Sequence, residues 1–137
     1  MTNEYSKKDL EEGNVLAPRF DSAGLIPAIV TDVLSGAVLM LAWMNADALR
    51  KSIETGEAWF WSRSRQRIWH KGATSGQVQQ IQEIRIDCDQ DAVWLKVCMP
   101  AESGCCHTGR ASCFYRLISN EPGRPVLQAE YKNSHSK

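Results

Sequence analysis

Residues 26–44 read IPAIVTDVLSGAVLMLAWM, two runs rich in β-branched and large apolar side chains on either side of Ser35-Gly36. Serine and glycine are frequent in tight turns, glycine because it adopts a positive φ without steric cost. Two such runs joined by a short turn predict a β-hairpin. The fold is therefore expected to begin with an antiparallel pair of strands.

A short helix is predicted directly after this hairpin. Asn45 is a favourable N-cap residue, and Gly56 is of the type that often follows the last turn of a helix. Between them, Ala46–Thr55 carries Leu49 and Ile53, which lie four positions apart and so share one face of a helix. We expect this face to point towards the core.

Further strands are predicted where β-branched, aromatic and alternating apolar residues recur. The segments are residues 57–62, 77–86, 92–99 and 112–118, and the second has an irregularity near Gln82-Glu83. Together with the hairpin they predict an α+β, mainly β fold, with a mixed or antiparallel sheet of about five to seven strands and one or two short helices.

The chain divides by composition into three parts. Residues 1–20 are rich in charged side chains and predict a flexible N-terminal arm. Residues 120–137 contain two prolines without a sustained period, which predicts a mobile C-terminal tail. Residues 21–119 are left as one domain, the size expected for a chain of 137 residues.

Charge and hydropathy exclude several classes of protein. Lys and Arg number 16, as do Asp and Glu, so the molecule as a whole is neither a polycation nor a polyanion. The first residues are polar, unlike the apolar centre of a signal peptide, and no stretch approaches the roughly 20 apolar residues of a membrane-spanning helix. We expect a cytoplasmic protein without a membrane or nucleic-acid partner.

All five cysteines lie in one part of the chain, at Cys88, Cys98, Cys105, Cys106 and Cys113. An odd number of cysteines without an apparent signal peptide argues against a disulfide framework and favours metal binding, with a redox role second. Buried, unreactive thiols are the simpler explanation, and it suits Cys98, which lies within an apolar run.

The stretch Asp87-Cys88-Asp89-Gln90-Asp91 places three carboxylates at alternate positions. In an extended segment they lie on one side, where their charges repel one another unless a cation is bound, and Mg²⁺ prefers such oxygen ligands. Cys88 then points to the opposite side, which allows a second, softer metal there. A polar turn with solvated aspartates explains these residues equally well when they are taken alone.

A second cluster is Cys105-Cys106-His107, followed by Cys113. Three thiolates bound to one zinc ion leave the fourth tetrahedral position free for water, as catalytic zinc requires. Adjacent cysteines rarely bind one ion without strain, so Cys105 is set aside as a ligand. His107 is either a fourth ligand or a general acid–base group, and the second role is preferred because it keeps the water position free.

A basic block precedes the acidic stretch. Residues 58–81 contain no acidic side chain but include four cations: Arg63, Arg65, Arg67 and Lys71. Three of these cations (Arg63, Arg65 and Lys71), with the hydroxyls of Thr74 and Ser75 and the neighbouring glycines, suit the phosphate groups of a nucleotide. Trp59 and Trp61 are expected to belong to the core rather than to stack on a base.

Six motifs then occur in order: LMLAWMN at 39–45, FWSRSR at 60–65, WHKGATSG at 69–76, DCDQD at 87–91, CHTG at 106–109 and SCF at 112–114. In this combination they resemble the phosphoribosyl-AMP cyclohydrolase family over residues 26–117. One position departs from the family pattern. Ala73 stands where family members often carry Glu, so no catalytic role is assigned to it.

The resemblance implies two metal sites, with zinc bound by Cys88, Cys106 and Cys113 and magnesium bound by Asp87, Asp89 and Asp91. It also implies an intertwined homodimer in which Cys88 reaches the zinc site of the partner subunit. The implied reaction is hydrolysis of the N1–C6 bond of the adenine ring in 1-(5-phosphoribosyl)-AMP, a step of histidine biosynthesis. His107 is the candidate for proton transfer in that reaction.

Two other classes of protein remain as alternatives. A single-stranded nucleic-acid-binding module stabilised by zinc is favoured by the aromatic and arginine residues of the basic block, but the adjacent acidic stretch repels a polyanion. A redox or metal-storage protein also uses clustered thiols, but it has no need of a basic block.

Overall fold

The computed structural model describes residues 5–99, 104–106 and 110–129. In chain order its elements are α1 (Lys7–Glu12), β1 (Ile26–Asp32), β2 (Val38–Met44), α2 (Ala46–Thr55), β3 (Trp59–Ser62), β4 (Arg67–His70), β5 (Gln80–Ile86), β6 (Val93–Cys98), β7 (Arg116–Glu121) and β8 (Arg124–Ala129). Within the described ranges no helix is long and apolar enough to cross a membrane.

Six strands form one sheet in the order β4-β3-β2-β1-β6-β5, and β7 and β8 form a separate hairpin. Neighbouring strands of the large sheet are antiparallel except for β1 and β6, which are parallel. This mixed sheet, with two short helices, confirms the predicted mainly β fold.

The large sheet curls so that distant parts of it meet. Glu57, just before β3, forms an antiparallel bridge with Gln80 at the start of β5. The Ala58 amide donates to the Gln79 carbonyl at 3.2 Å, and the Ile81 amide donates to the carbonyl of residue 56 at 2.7 Å. Strand β5, at one edge of the sheet, is thereby hydrogen-bonded to the chain next to β3.

The core lies on one face of this sheet. Alternate residues of β1 and β6 are buried, as the two-residue period of a strand requires, and they are Ile26, Ala28, Val30, Val93, Leu95 and Val97. Phe60 of β3 joins them and is fully buried. Its neighbours Trp59 and Trp61, which were expected in the core, are half-buried, and of the two Trp59 packs against the core.

The hairpin and the following helix are confirmed. Strands β1 and β2 pair antiparallel, and α2 spans Ala46–Thr55 as predicted. The Asn45 side chain accepts a hydrogen bond from the Ala48 amide at 2.8 Å, which caps the first turn. Gly56, with a φ of 75°, ends the helix in the left-handed conformation that glycine tolerates best.

The prediction was wrong for one residue of the helix face. Leu49 is buried, but Ile53 is 49% exposed, and the buried face includes Ala48 and Ser52 instead. Ser52 Oγ donates to the Ala48 carbonyl at 2.9 Å and accepts from the Trp59 amide at 2.9 Å. Because this polar link fastens the helix to β3, Ser52 faces inward and the next residue faces out.

The remaining strands show where local patterns are weakest. The irregularity predicted near Gln82-Glu83 is a register shift between Ile81 and Glu83 in the pairing of β5 with β6. Strand β7 begins at Arg116, later than predicted, and β8 occupies part of the segment expected to be a tail. The sequence patterns also do not indicate α1 or β4, which are short elements of six and four residues.

Two glycines of the loop after β4 provide a test of this packing. A Cβ at Gly72 would lie 2.2 Å from the Val78 nitrogen, whereas a Cβ at Gly76 would meet nothing within 4 Å, and both residues have positive φ. We expect Gly76→Ala to cost about 1 kcal/mol of unfolding free energy from backbone strain alone. Gly72→Ala should cost about 1–3 kcal/mol more because the loop must shift. Urea unfolding measures both losses of unfolding free energy. Equal losses in the two variants would contradict the close approach of residue 72 to Val78.

Candidate active site

The turn between β5 and β6, residues 87–91, brings three carboxylates together and is called the acidic turn below. The ligand oxygens of Asp87, Asp89 and Asp91 lie within 4.8 Å of one another, the one group of this kind among the described residues. The prediction of an extended segment is wrong, because Gln90 has a φ of 59° and its amide donates to the Asp87 carbonyl at 3.0 Å. Asp87 Oδ1 also accepts from the Asp91 amide at 2.9 Å. The carboxylates therefore converge through a closed turn.

These carboxylates perturb one another's ionisation. The pKa of Asp91 is raised to about 6, first by its hydrogen bond to Asp89 and then by that to Asp87. The pKa of Asp89 is lowered, mainly because Asp91 hydrogen-bonds to it. Such a set gains from a divalent cation, which neutralises the repulsion, and a donor set made only of oxygen fits Mg²⁺. The residues of the acidic turn thus fit the predicted magnesium ion.

The described residues 104–106 and 110–113 form a second feature, called the thiol loop. Cys105 and Cys106 are buried there, and the Cys106 amide donates to the Arg110 carbonyl at 3.1 Å. The Cys113 amide donates to the carbonyl of Leu39 in β2 at 2.7 Å. Strand β2 therefore positions the thiol loop through a backbone hydrogen bond.

The Cys113 thiol contacts two other thiols of this loop. Cys113 hydrogen-bonds to Cys105 and also to Cys106. The bond to Cys105 raises the pKa of Cys113, and the same bond, with the nearby charge of Lys71, lowers the pKa of Cys105. The structure thus brings Cys106 and Cys113, two of the predicted zinc ligands, together with Cys105, which was set aside on sequence grounds.

A buried cation and a buried amide face the same loop. Lys71 is buried, and its Nζ donates to the Cys105 carbonyl at 2.7 Å. Gln79 is fully buried, and its Nε2 lies 3.6 Å from Cys105 Sγ and 3.3 Å from Met40 Sδ. Within the described chain the Oε1 atom of Gln79 has no hydrogen-bond partner. Sequence reasoning missed Gln79, because nothing in an alternating strand distinguishes a buried glutamine from a solvated one.

The other predicted phosphate ligands lie on exposed loops. Arg63 and Arg65 belong to the turn between β3 and β4, where the guanidinium of Arg63 lies 5.0 Å from the ring centroid of Trp43. Thr74 and Ser75 are exposed in the loop after β4. These four side chains are accessible to a ligand, whereas the lysine predicted to act with them is buried.

The third predicted zinc ligand lies apart from the other two. Cys88 is exposed on the acidic turn, and among the described residues it forms no metal-sized group with Cys106 and Cys113. A site built from these three thiols needs Cys88 from a second subunit, as the resemblance implies, and that sharing stays a prediction. His107 lies outside the described residues.

Comparisons with known proteins identify the chain. A model of the phosphoribosyl-AMP cyclohydrolase family matches residues 40–115. A phosphoribosyl-AMP cyclohydrolase of Rhodopseudomonas palustris (strain BisB5) is 57% identical over 120 residues, which are 87% of this chain and 80% of that protein. One from Chelativorans sp. (strain BNC1) is 57% identical over 88% of this chain and 87% of its own length. One from Sinorhizobium medicae (strain WSM419) is 55% identical over 89% and 81%.

The family match covers most of the features described above. Residues 40–115 include Lys71, Gln79, the acidic turn and the thiol loop. The chain is therefore an enzyme, with its candidate site inside the matched region. It belongs to the phosphoribosyl-AMP cyclohydrolase family.

The acidic turn predicts an unusual dependence of stability on pH when divalent cations are removed. The folded pKa of Asp91, about 6, lies above its ordinary value of 3.8, so the folded state holds this proton more tightly than the unfolded state does. The stabilising contribution of protonated Asp91 should therefore be lost as pH rises from about 4 to about 6. The lowered pKa of Asp89 affects stability only below pH 3.8, which lies outside this window.

Urea unfolding in the presence of a chelator, at several pH values across this window, measures the effect. The comparison protein is Asp91→Asn, which cannot ionise at this position. We expect the stability of the native protein, relative to Asp91→Asn, to decline across the window. A difference in unfolding free energy between the two proteins that stays constant across the window would contradict the raised pKa of Asp91.

Proposed function

We propose that this enzyme hydrolyses the N1–C6 bond of the adenine ring in 1-(5-phosphoribosyl)-AMP and that the reaction requires zinc. The product is the open-ring carboxamide ribotide of histidine biosynthesis. The observation that carries the proposal is the thiol loop, in which Cys106 and Cys113 lie in contact in a chain whose relatives are named phosphoribosyl-AMP cyclohydrolase.

The proposed zinc ligands are Cys106 and Cys113 of one subunit and Cys88 of the partner subunit. Thiolates are suitable zinc ligands, and a set of three leaves one position free. A zinc ion held there supplies the activation of water that hydrolysis at C6 needs near neutral pH. The contact between two of the three thiols supports this assignment.

Lys71 prepares the thiol loop for this role. Its Nζ donates to the Cys105 carbonyl at 2.7 Å, and its positive charge helps to lower the pKa of the Cys105 thiol. A buried ammonium reduces the electrostatic cost of gathering thiolates in one place. We assign this positioning role to Lys71 in addition to the phosphate contact expected from the sequence.

The substrate carries two phosphorylated arms, which need positive charge and hydrogen-bond donors. We assign these contacts to a magnesium ion at the acidic turn and to the exposed side chains of Arg63, Arg65, Thr74 and Ser75. Mg²⁺ is commonly held by carboxylates together with substrate phosphates. We assign proton transfer to His107, a role that contributes about 10²–10⁴-fold in comparable enzymes.

The reaction is tested by mixing the purified protein with phosphoribosyl-AMP and following the ultraviolet absorbance of the ring. We expect ring opening that stops when zinc is removed with a chelator and returns when zinc, but not magnesium alone, is added back. Turnover that persists in fully zinc-depleted protein would contradict the zinc requirement. Salt-dependent binding to an arbitrary oligonucleotide without ring opening would instead favour the nucleic-acid-binding alternative.

A mixture of two inactive variants tests whether the zinc site is shared. Cys88→Ser and Cys106→Ser are each expected to lose zinc and turnover. A mixed dimer of the two has one intact site and one doubly altered site. Because half of randomly formed dimers are mixed, refolding equal amounts together should restore about a quarter of native activity.

The matched control is a mixture of Cys106→Ser and Cys113→Ser. Both substitutions fall in the set of ligands that one subunit contributes, so a mixed dimer has no intact site and activity should not return. A failure of both mixtures to regain activity, with dimer formation verified, would contradict a site shared in this way.

A further inference from the structure

Gln90 fastens the chain before β1 to the acidic turn. The residue is 4% exposed, and its Nε2 donates to the carbonyls of Leu10 at 2.9 Å and Val15 at 3.0 Å. Its Oε1 accepts from the Ala17 amide at 2.8 Å, and its backbone carbonyl accepts from the Arg19 amide at 2.7 Å. Residues 7–19, called the N-terminal segment below, are therefore held at a fixed place beside the three carboxylates.

The backbone of Gln90 supports the same conclusion. Its φ of 59° lies in the left-handed region, which glutamine rarely adopts. The conformation places the amide among the backbone groups of the N-terminal segment while the flanking residues Asp89 and Asp91 converge with Asp87. One residue thus sets the position of the N-terminal segment and the shape of the acidic turn.

A cavity of about 550 Å³ lies where these two parts meet. It is lined by Lys7, Leu10, Glu11, Arg19 and Asp89. The volume falls in the range of small-molecule sites. One wall is formed by Asp89, a proposed magnesium ligand. The facing N-terminal segment supplies two cations, Lys7 and Arg19, and one carboxylate, Glu11.

We propose that the N-terminal segment, docked by Gln90, forms one wall of the substrate site, where Arg19 and Lys7 bind a phosphate group of the nucleotide next to Asp89. A phosphate that shares a magnesium ion with the acidic turn must extend away from the carboxylates, and the cavity adjoining Asp89 receives it. Arginine and lysine are the side chains that bind such a group by charge-assisted hydrogen bonds. This inference rests on the proposed function.

Binding of AMP to the magnesium-loaded protein, measured by calorimetry, tests the role of the two cations. Arg19→Gln and Lys7→Gln should each weaken the Kd for AMP by about tenfold or more, the usual effect of losing a hydrogen bond to a charged group. Adenosine, which lacks the phosphate, and Mg²⁺ alone should bind all variants as they bind the native protein. Lys8→Gln is the matched control, because Lys8 is exposed on the same helix without lining the cavity.

Unchanged AMP binding in both Arg19→Gln and Lys7→Gln would overturn the proposal. An equal loss of AMP and adenosine binding would also overturn it, because the effect would then not concern the phosphate. The ring-opening assay of the native protein separates the two hypotheses. If the native protein opens the ring but AMP binding is unaffected by both substitutions, only this inference is contradicted. If AMP binding depends on both cations but the native protein does not open the ring, only the proposed function is contradicted.

Gln90→Gly tests the docking itself. Glycine keeps the positive φ but removes the amide, so exchange of the Ala17 amide hydrogen should accelerate and AMP binding should weaken as it does in Arg19→Gln. Gln66→Gly is the control for exchange, because Gln66 also has a positive φ, of 55°, and its side chain contacts Arg63 rather than the N-terminal segment. Native protection of Ala17 in Gln90→Gly, or native AMP binding despite a released segment, would overturn the proposal.

Discussion

Strand β1 holds the two halves of the candidate site in one sheet. It pairs antiparallel with β2, which carries the thiol loop through Leu39, and parallel with β6, which begins directly after the acidic turn. Its inward side chains Ile26, Ala28 and Val30 are fully buried. A shift of one residue in the pairing of β1 with either neighbour would turn these side chains towards solvent. The burial that stabilises β1 therefore also sets the position of the thiol loop relative to the acidic turn.

The two halves differ in chemistry in a way that suits two different metals. The thiol loop offers polarizable sulfur next to a buried ammonium, and the acidic turn offers oxygen at the surface. Soft ligands favour zinc and hard oxygen ligands favour magnesium, so the two proposed ions need not compete for one site. Backbone hydrogen bonds shape both halves, at Cys106 and Cys113 in one and at Asp87 in the other. The side chains proposed as ligands are therefore largely positioned by the fold itself.

Local patterns predicted the elements whose causes are local. The hairpin and α2 follow from turn and capping residues that act within a few positions, and α2 has its predicted bounds. Ile53 and β8 were not predicted correctly, because each depends on a neighbouring element: Ser52 bonded to Trp59 in one case and pairing with β7 in the other. The convergence of three aspartates was expected from their spacing, but the left-handed Gln90 that produces it was not.

The sequence by itself determined the family and supplied the candidate donors, because motifs of this kind depend on residue type and spacing. Only the tertiary structure decided what those donors face. Lys71 meets Cys105 across 34 positions, and Gln90 meets Val15 across 75. Contacts over such distances exist only after the sheet has curled and excluded water, which is when a buried charge or amide must find its partner.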